Sequence, residues 1–99
     1  MEIRIQAIHF DVTERLDAFI RKKVAKLSQY HDGILDAEVI LRVVKPETAR
    51  NKQAGIRLQI KSNDCFAEKA SDTFEEAVDE AVVALEKQLI KAKEKSRSK

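Results

Sequence analysis

The chain has 99 residues, 43% of them apolar and 36% charged, with 19 Lys and Arg against 17 Asp and Glu for a net charge of +2. That length supports one domain with a modest core, and a charge so near balance gives no argument for nucleic acid from its sum alone. A single cysteine, Cys65, excludes an internal disulfide framework and suits a reducing cytoplasm, while no apolar run approaches the ~18 residues of a membrane-spanning helix.

Met1 to Ile8 alternates, with Ile3, Ile5 and Ala7 on one side and Glu2, Arg4 and Gln6 on the other. This predicts a half-buried strand rather than the apolar stretch of a signal peptide. A helix should open at Asp11-Val12-Thr13-Glu14, with Thr13 or Asp11 as the cap whose side-chain oxygen takes an orphan amide. Leu16, Phe19, Ile20, Val24 and Leu27 then form one stripe at helical spacing. Asp32-Gly33 is expected to stop the helix in a left-handed turn.

Ala37 to Lys45 carries Val39, Ile40, Leu41, Val43 and Val44, apolar on both faces in places, which predicts an interior strand. Pro46, lacking the amide a ladder needs, should end it before a polar loop over 47–52. Ala54 to Lys61 alternates, with Ile56, Leu58 and Ile60 inward and Arg57, Gln59 and Lys61 outward. Asn63-Asp64 predicts a tight turn, and Cys65 to Ala70 a short returning strand. Asp72-x-x-Glu75 reads as a capping box opening a second helix to about Lys95, with Phe74, Val78, Ala81, Leu85, Leu89 and Ala92 on its apolar face.

The order is βαβββα. Two singly striped helices need one surface to cover, so the expected fold is α+β: a four-stranded mixed sheet with both helices packed on one face. The first two strands should pair in parallel through a right-handed crossover and the rest as antiparallel hairpins. One domain over residues 1–95 and a frayed basic tail over 96–99 complete the expectation.

Charge is distributed unevenly. Helix one carries Arg15, Arg21, Lys22, Lys23 and Lys26 against Glu14 and Asp17, and Arg15, Lys22 and Lys26 share a narrow sector beside the stripe. Lys23 falls within the apolar arc, where its stem can lie on apolar surface. Helix two is acidic from Asp72 to Glu86, then basic through Lys87, Lys91, Lys93 and Lys95. Acids at a helix N-terminus and bases at its C-terminus complement the dipole, but the basic stretch outlasts the final turn. Side by side, the two basic sectors are expected to form one positive groove suited to RNA phosphates. A plain solvated charged face remains the alternative reading of the same residues. Lysine in place of arginine, and few aromatics, point away from stacking on single-stranded bases.

Nothing in the chain argues for an enzyme, a cofactor or a metal. His9 and His31 have no ligand partners at metal spacing, Cys65 has no His-containing motif beside it, and two glycines cannot build a phosphate-cradling loop. His31, at the end of helix one, is expected to contact the dipole. Val83 and Ile90 fall seven residues apart on the outward side of helix two, as ordinary exposed apolars or as a partner-contact patch.

Three stretches together resemble the short hibernation-promoting factor family, also called ribosome-associated inhibitor A or sigma-54 modulation protein. They are Thr13-Glu14-x-Leu16, then Ala25-Lys26-Leu27-Ser28-Gln29-Tyr30-x-Asp32, then Leu85-Glu86-Lys87-Gln88-Leu89-x-Lys91-x-Lys93-x-Lys95. The likeness runs in order along nearly the whole chain. It implies binding to RNA and protein of the small ribosomal subunit, in the channel of messenger and transfer RNA, with translation blocked in stationary phase or stress. No membrane and no small-molecule substrate are expected, and a monomer is the default for the free protein. By position, the family's basic residues fall on Lys23, Lys26, Lys87, Lys91, Lys93 and Lys95, with Lys22 basic in addition. Phe74 stands where the family usually has tyrosine, and Ala84 where it commonly has a base. The chain stops before the extra C-terminal dimerisation domain of the long form. A different class of function, a regulatory module docking a protein through the acidic face of helix two, would rest on Glu76, Glu80 and Val83/Ile90.

Overall fold

Alternation at the N-terminus becomes strand β1, Glu2–Ala7, and the order of elements continues α1 Glu14–Ala25, β2 Ile34–Val43, β3 Lys52–Ile60, β4 Asp64–Ser71 and α2 Phe74–Arg97. A single 3₁₀ turn, Lys26–Gln29, extends α1. The structure is a computed structural model and describes residues 1–44, 49–61 and 63–97, with side chains in α2 described as far as Ala92. Pro46, the expected strand terminator, lies outside the described residues; β2 ends at Val43.

The sheet has the order β1-β2-β3-β4, with β1 and β2 parallel and both later pairings antiparallel, as the βαβββα reading requires. Register explains why one face is dry. Ile3, Ala37, Leu58 and Cys65 form one row across the four strands, and Ile5, Val39, Ile56 and Ala67 the next. Every β2, β3 and β4 member of these rows is buried, together with Leu16, Ile20, Val24 and Leu27 of the first helical segment and Ala77, Val78, Ala81, Val82, Leu85 and Leu89 of α2, in one continuous core. The opposite face alternates charge instead, as in the row Arg4, Glu38, Arg57 and Phe66. Phe66, 53% exposed, lies across Gly55, where an added Cβ would sit 3.6 Å from the ring.

Because β4 runs parallel to β1, and each helix returns over the sheet, α1 and α2 lie side by side in the same direction. Their entries are tied together: Phe10, just before α1, stacks on Phe74 at 5.0 Å between centroids. Thr13 caps α1 by accepting the Leu16 N–H at 3.1 Å.

Three expected local signals give way to others. The cap of α2 is Thr73, whose Oγ1 accepts the Glu76 N–H at 3.1 Å, so the capping box is Thr73-x-x-Glu76 and not Asp72-x-x-Glu75. Asp72 is engaged elsewhere, since its Oδ1 accepts the N–H of Arg50, a residue held at a left-handed φ of 56°. Gly33 has no positive φ; the first helical segment ends through its 3₁₀ turn, and His31 Nδ1 accepts the Gly33 N–H at 2.8 Å. The β3–β4 turn lies earlier than Asn63-Asp64, because Ile60 and Asn63 exchange both backbone hydrogen bonds and close the hairpin.

Both borders of the sheet are met by side chains. On β1, the Ile3 carbonyl accepts from the Arg21 guanidinium at 3.1 Å, and that guanidinium is steadied by Asp17 at 2.7 Å. On β4, Gln88 donates to the Phe66 carbonyl at 2.8 Å and Arg50 to the Ala70 carbonyl at 3.2 Å. These contacts satisfy edge acceptors that would otherwise invite another strand.

Two changes test the packing and the reassigned cap in urea titrations. Leu85→Ala removes a fully buried side chain at the centre of the α2 stripe and should cost about 2–5 kcal/mol. Thr73→Ala should cost about 1 kcal/mol through the lost cap.

Candidate nucleic-acid interface

The outer surface of the helix layer carries the basic residues that the sequence singled out, but not as one continuous groove. On α1, Lys22 is exposed, and Lys26 is exposed at the start of the 3₁₀ turn. On α2, Lys87 and Lys91 are exposed one turn apart. Among the described residues none of these four pairs with a carboxylate. The side chains of Lys93 and Lys95 lie outside the described ones, while their backbone continues α2.

Lys23 behaves differently. Its ammonium lies 3.2 Å from the Asp79 carboxylate of α2 and 5.6 Å from the centre of the Phe19 ring. The stem therefore lies on apolar surface, as expected from its place within the stripe, while the charge is engaged between the helices. This bridge also fixes which side of α2 faces α1. By helical spacing Glu75 and Glu86 share the Asp79 side, and Lys87 and Lys91 lie roughly 80–120° further round. The seam between the helices is thus walled by carboxylates on α2, and the uncompensated lysines stand on either side of it.

Two shallow hollows flank α2. Lys87, Gln88, Ile90 and Lys91 line one of about 410 Å³. Lys69, Asp79, Glu80, Val83, Ala84 and Lys87 line another of about 400 Å³. Lys69 was not anticipated. It occupies the inward parity of β4, between the buried Ala67 and Ser71, yet is itself exposed beside α2. Val83 and Ile90, 44% and 45% exposed, stand outward as expected. Ser71, fully buried, donates from its hydroxyl to Glu80, so this acid pins α2 to the end of β4.

Among the described residues no group of three His, Cys, Asp or Glu is placed to hold a metal ion. No helix of the described residues is long and apolar enough to cross a membrane. Burial, and then the Asp64 carboxylate beside it, pushes the Cys65 thiol above its ordinary value.

Fold and surface define a small α+β module: a one-sided sheet backed by two codirectional helices that carry lysines outward. The chain belongs to the Sigma 54 modulation protein / S30EA ribosomal protein family, whose model matches residues 3–97. It is 29% identical over 98 residues to the ribosome hibernation promoting factor of Pseudomonas putida, covering 99% of this chain and 92% of that one. The protein of the same name in Escherichia coli K12 is 30% identical over 95 residues, 96% of each chain. The crystal structure of the Thermus thermophilus Protein Y N-terminal domain superposes with a TM-score of 0.78 at 27% identity, over 92% of this chain and 98% of that one. A ribosomal subunit interface protein from Coxiella burnetii superposes at 0.84 with 24% identity, over 94% and 98%, a likeness of fold.

The raised Cys65 value makes a signed prediction. The unfolded thiol ionises near its ordinary value of 9.0 while the folded one stays protonated, so this contribution is intact below pH 9 and shrinks as pH rises beyond it. Melting curves between pH 8 and pH 10 should fall more steeply for the wild type than for Cys65→Ala.

Proposed function

We propose that this chain is a ribosome hibernation factor. It binds RNA of the small ribosomal subunit through the outer surface of its helix layer and blocks translation by occupying the path of messenger and transfer RNA. The observation that carries the reading is the set of exposed lysines without carboxylate partners among the described residues, Lys22, Lys26, Lys87 and Lys91, on one layer of a chain similar to ribosome hibernation promoting factors. Lys93 and Lys95 continue the α2 set by sequence, and Lys23 stands at the family's basic position on α1 with its ammonium bridged to Asp79.

Ammonium groups on a rigid layer bind phosphate by charge and release of condensed counterions, without reading bases. Occupation of a channel needs no reaction, and the seam and hollows described above present no nucleophile beside a base. The domain over residues 1–95 acts in the cytoplasm, as a single copy when free, in stationary phase or stress. Side chains on the edge carbonyls of Ile3, Phe66 and Ala70 favour the monomer.

The test is co-sedimentation with purified small subunits, large subunits and whole ribosomes in sucrose gradients. Four phosphate contacts give a slope of roughly −3.6 in log affinity against log salt, so affinity should fall about a hundredfold between 50 and 200 mM salt. Lys26→Glu, Lys87→Glu and Lys91→Glu combined should abolish binding to small subunits while the melting transition holds. Retention of binding by that triple variant, or a preference for large subunits, would overturn the reading.

A further inference from the structure

The bridge between Lys23 and Asp79 separates this lysine from the four that have no carboxylate partner among the described residues. Lys23 is 31% exposed and Asp79 54%, so the pair lies at the mouth of the seam and not in the core. Its ammonium is also seated against the Phe19 ring, which favours the bridged position over one extended into water. On the α2 side, Glu75 and Glu86 share the wall of the seam with Asp79 by helical spacing. A phosphate approaching between the helices therefore meets carboxylates and a lysine whose charge is already compensated.

We propose that Asp79 is the specificity-determining residue of the interface. It holds Lys23 away from phosphate and leaves the seam lined by carboxylates between two lysine-bearing flanks. This rests on the RNA-binding reading above. Its consequence is a limited number of phosphate contacts: RNA must reach the free lysines on both helices at once to bind well. A single strand lying along the seam gains little, and a folded RNA presenting two backbones gains both sets. Release of Lys23 would add a contact usable by any RNA, raising affinity and lowering discrimination.

Asp79→Asn keeps the size of the side chain and removes its charge. Binding to purified small subunits and to a single-stranded polyuridine probe is measured for the wild type, for D79N, and for both in a Lys23→Gln background, across a salt series. Freeing one lysine should raise affinity for polyuridine roughly twofold to fivefold and steepen its salt slope by about 0.7, the increment per contact on single strands. The gain should vanish in the Lys23→Gln background, and the preference for subunits over polyuridine should narrow. Asp79→Ser repeats the measurement if D79N melts early.

No gain in either charge-free variant overturns the inference. So does a gain that persists without Lys23, since that shows simple relief of repulsion. The triple lysine reversal separates the two levels. If it abolishes subunit binding while D79N changes nothing, the interface stands and Asp79 has no such role; if it leaves subunit binding intact, the interface itself is wrong.

Discussion

A sheet dry on one side only is the constraint from which the remaining architecture follows. Alternation along β1, β3 and β4 sends Ile3, Ile5, Ile56, Leu58, Cys65 and Ala67 to the same face, and β2 supplies Ala37, Val39 and Leu41 between them. Shifting any strand by one residue would turn its apolar set to water. Both helices must then share that side, and the parallel β1–β2 crossover and the two hairpins oblige them to point the same way. Phe10 stacked on Phe74 joins their entries, and the fully buried Ile20, Val24, Leu85 and Leu89 anchor their lengths. The side chains that remain free of the core on this layer form the surface offered to a partner.

A net charge of +2 and a phosphate-binding surface are compatible because arrangement matters more than the sum. Several of the acids are committed. Asp17 steadies Arg21, Asp79 holds Lys23, Glu80 takes the buried Ser71 hydroxyl, and Asp72 and Glu76 serve the entry to α2. Lys22, Lys26, Lys87 and Lys91 have no such partners among the described residues.

Element order, pairing and the core were legible in the sequence because period-2 and period-3.6 patterns report burial directly. Local closures were less so. Asp72 and Thr73 each precede a glutamate by three residues, and the choice between them depends on Arg50, distant in sequence, whose amide claims Asp72. Gly33 could have adopted a left-handed turn, but His31 folds back on its amide instead. The lysines themselves were visible, whereas the carboxylate wall between them was not. That wall depends on which side of α2 meets α1, a matter of helix rotation settled by packing across the sheet. Lys69 has the parity of the buried Cys65, Ala67 and Ser71, so alternation alone assigns it to the core although it is exposed.

The seals on the sheet borders are unequal in origin, and that inequality has a consequence for misassembly. The β1 border is closed by Arg21, from the helix that immediately follows it in the chain, whereas β4 depends partly on Gln88, late in α2. Fraying of α2 inward from its C-terminal end would strip the glutamine from Phe66 while leaving Arg21 in place on Ile3. Strand exchange between copies would accordingly start at β4, and Arg50 on the Ala70 carbonyl is the remaining obstacle to a growing chain-to-chain ladder.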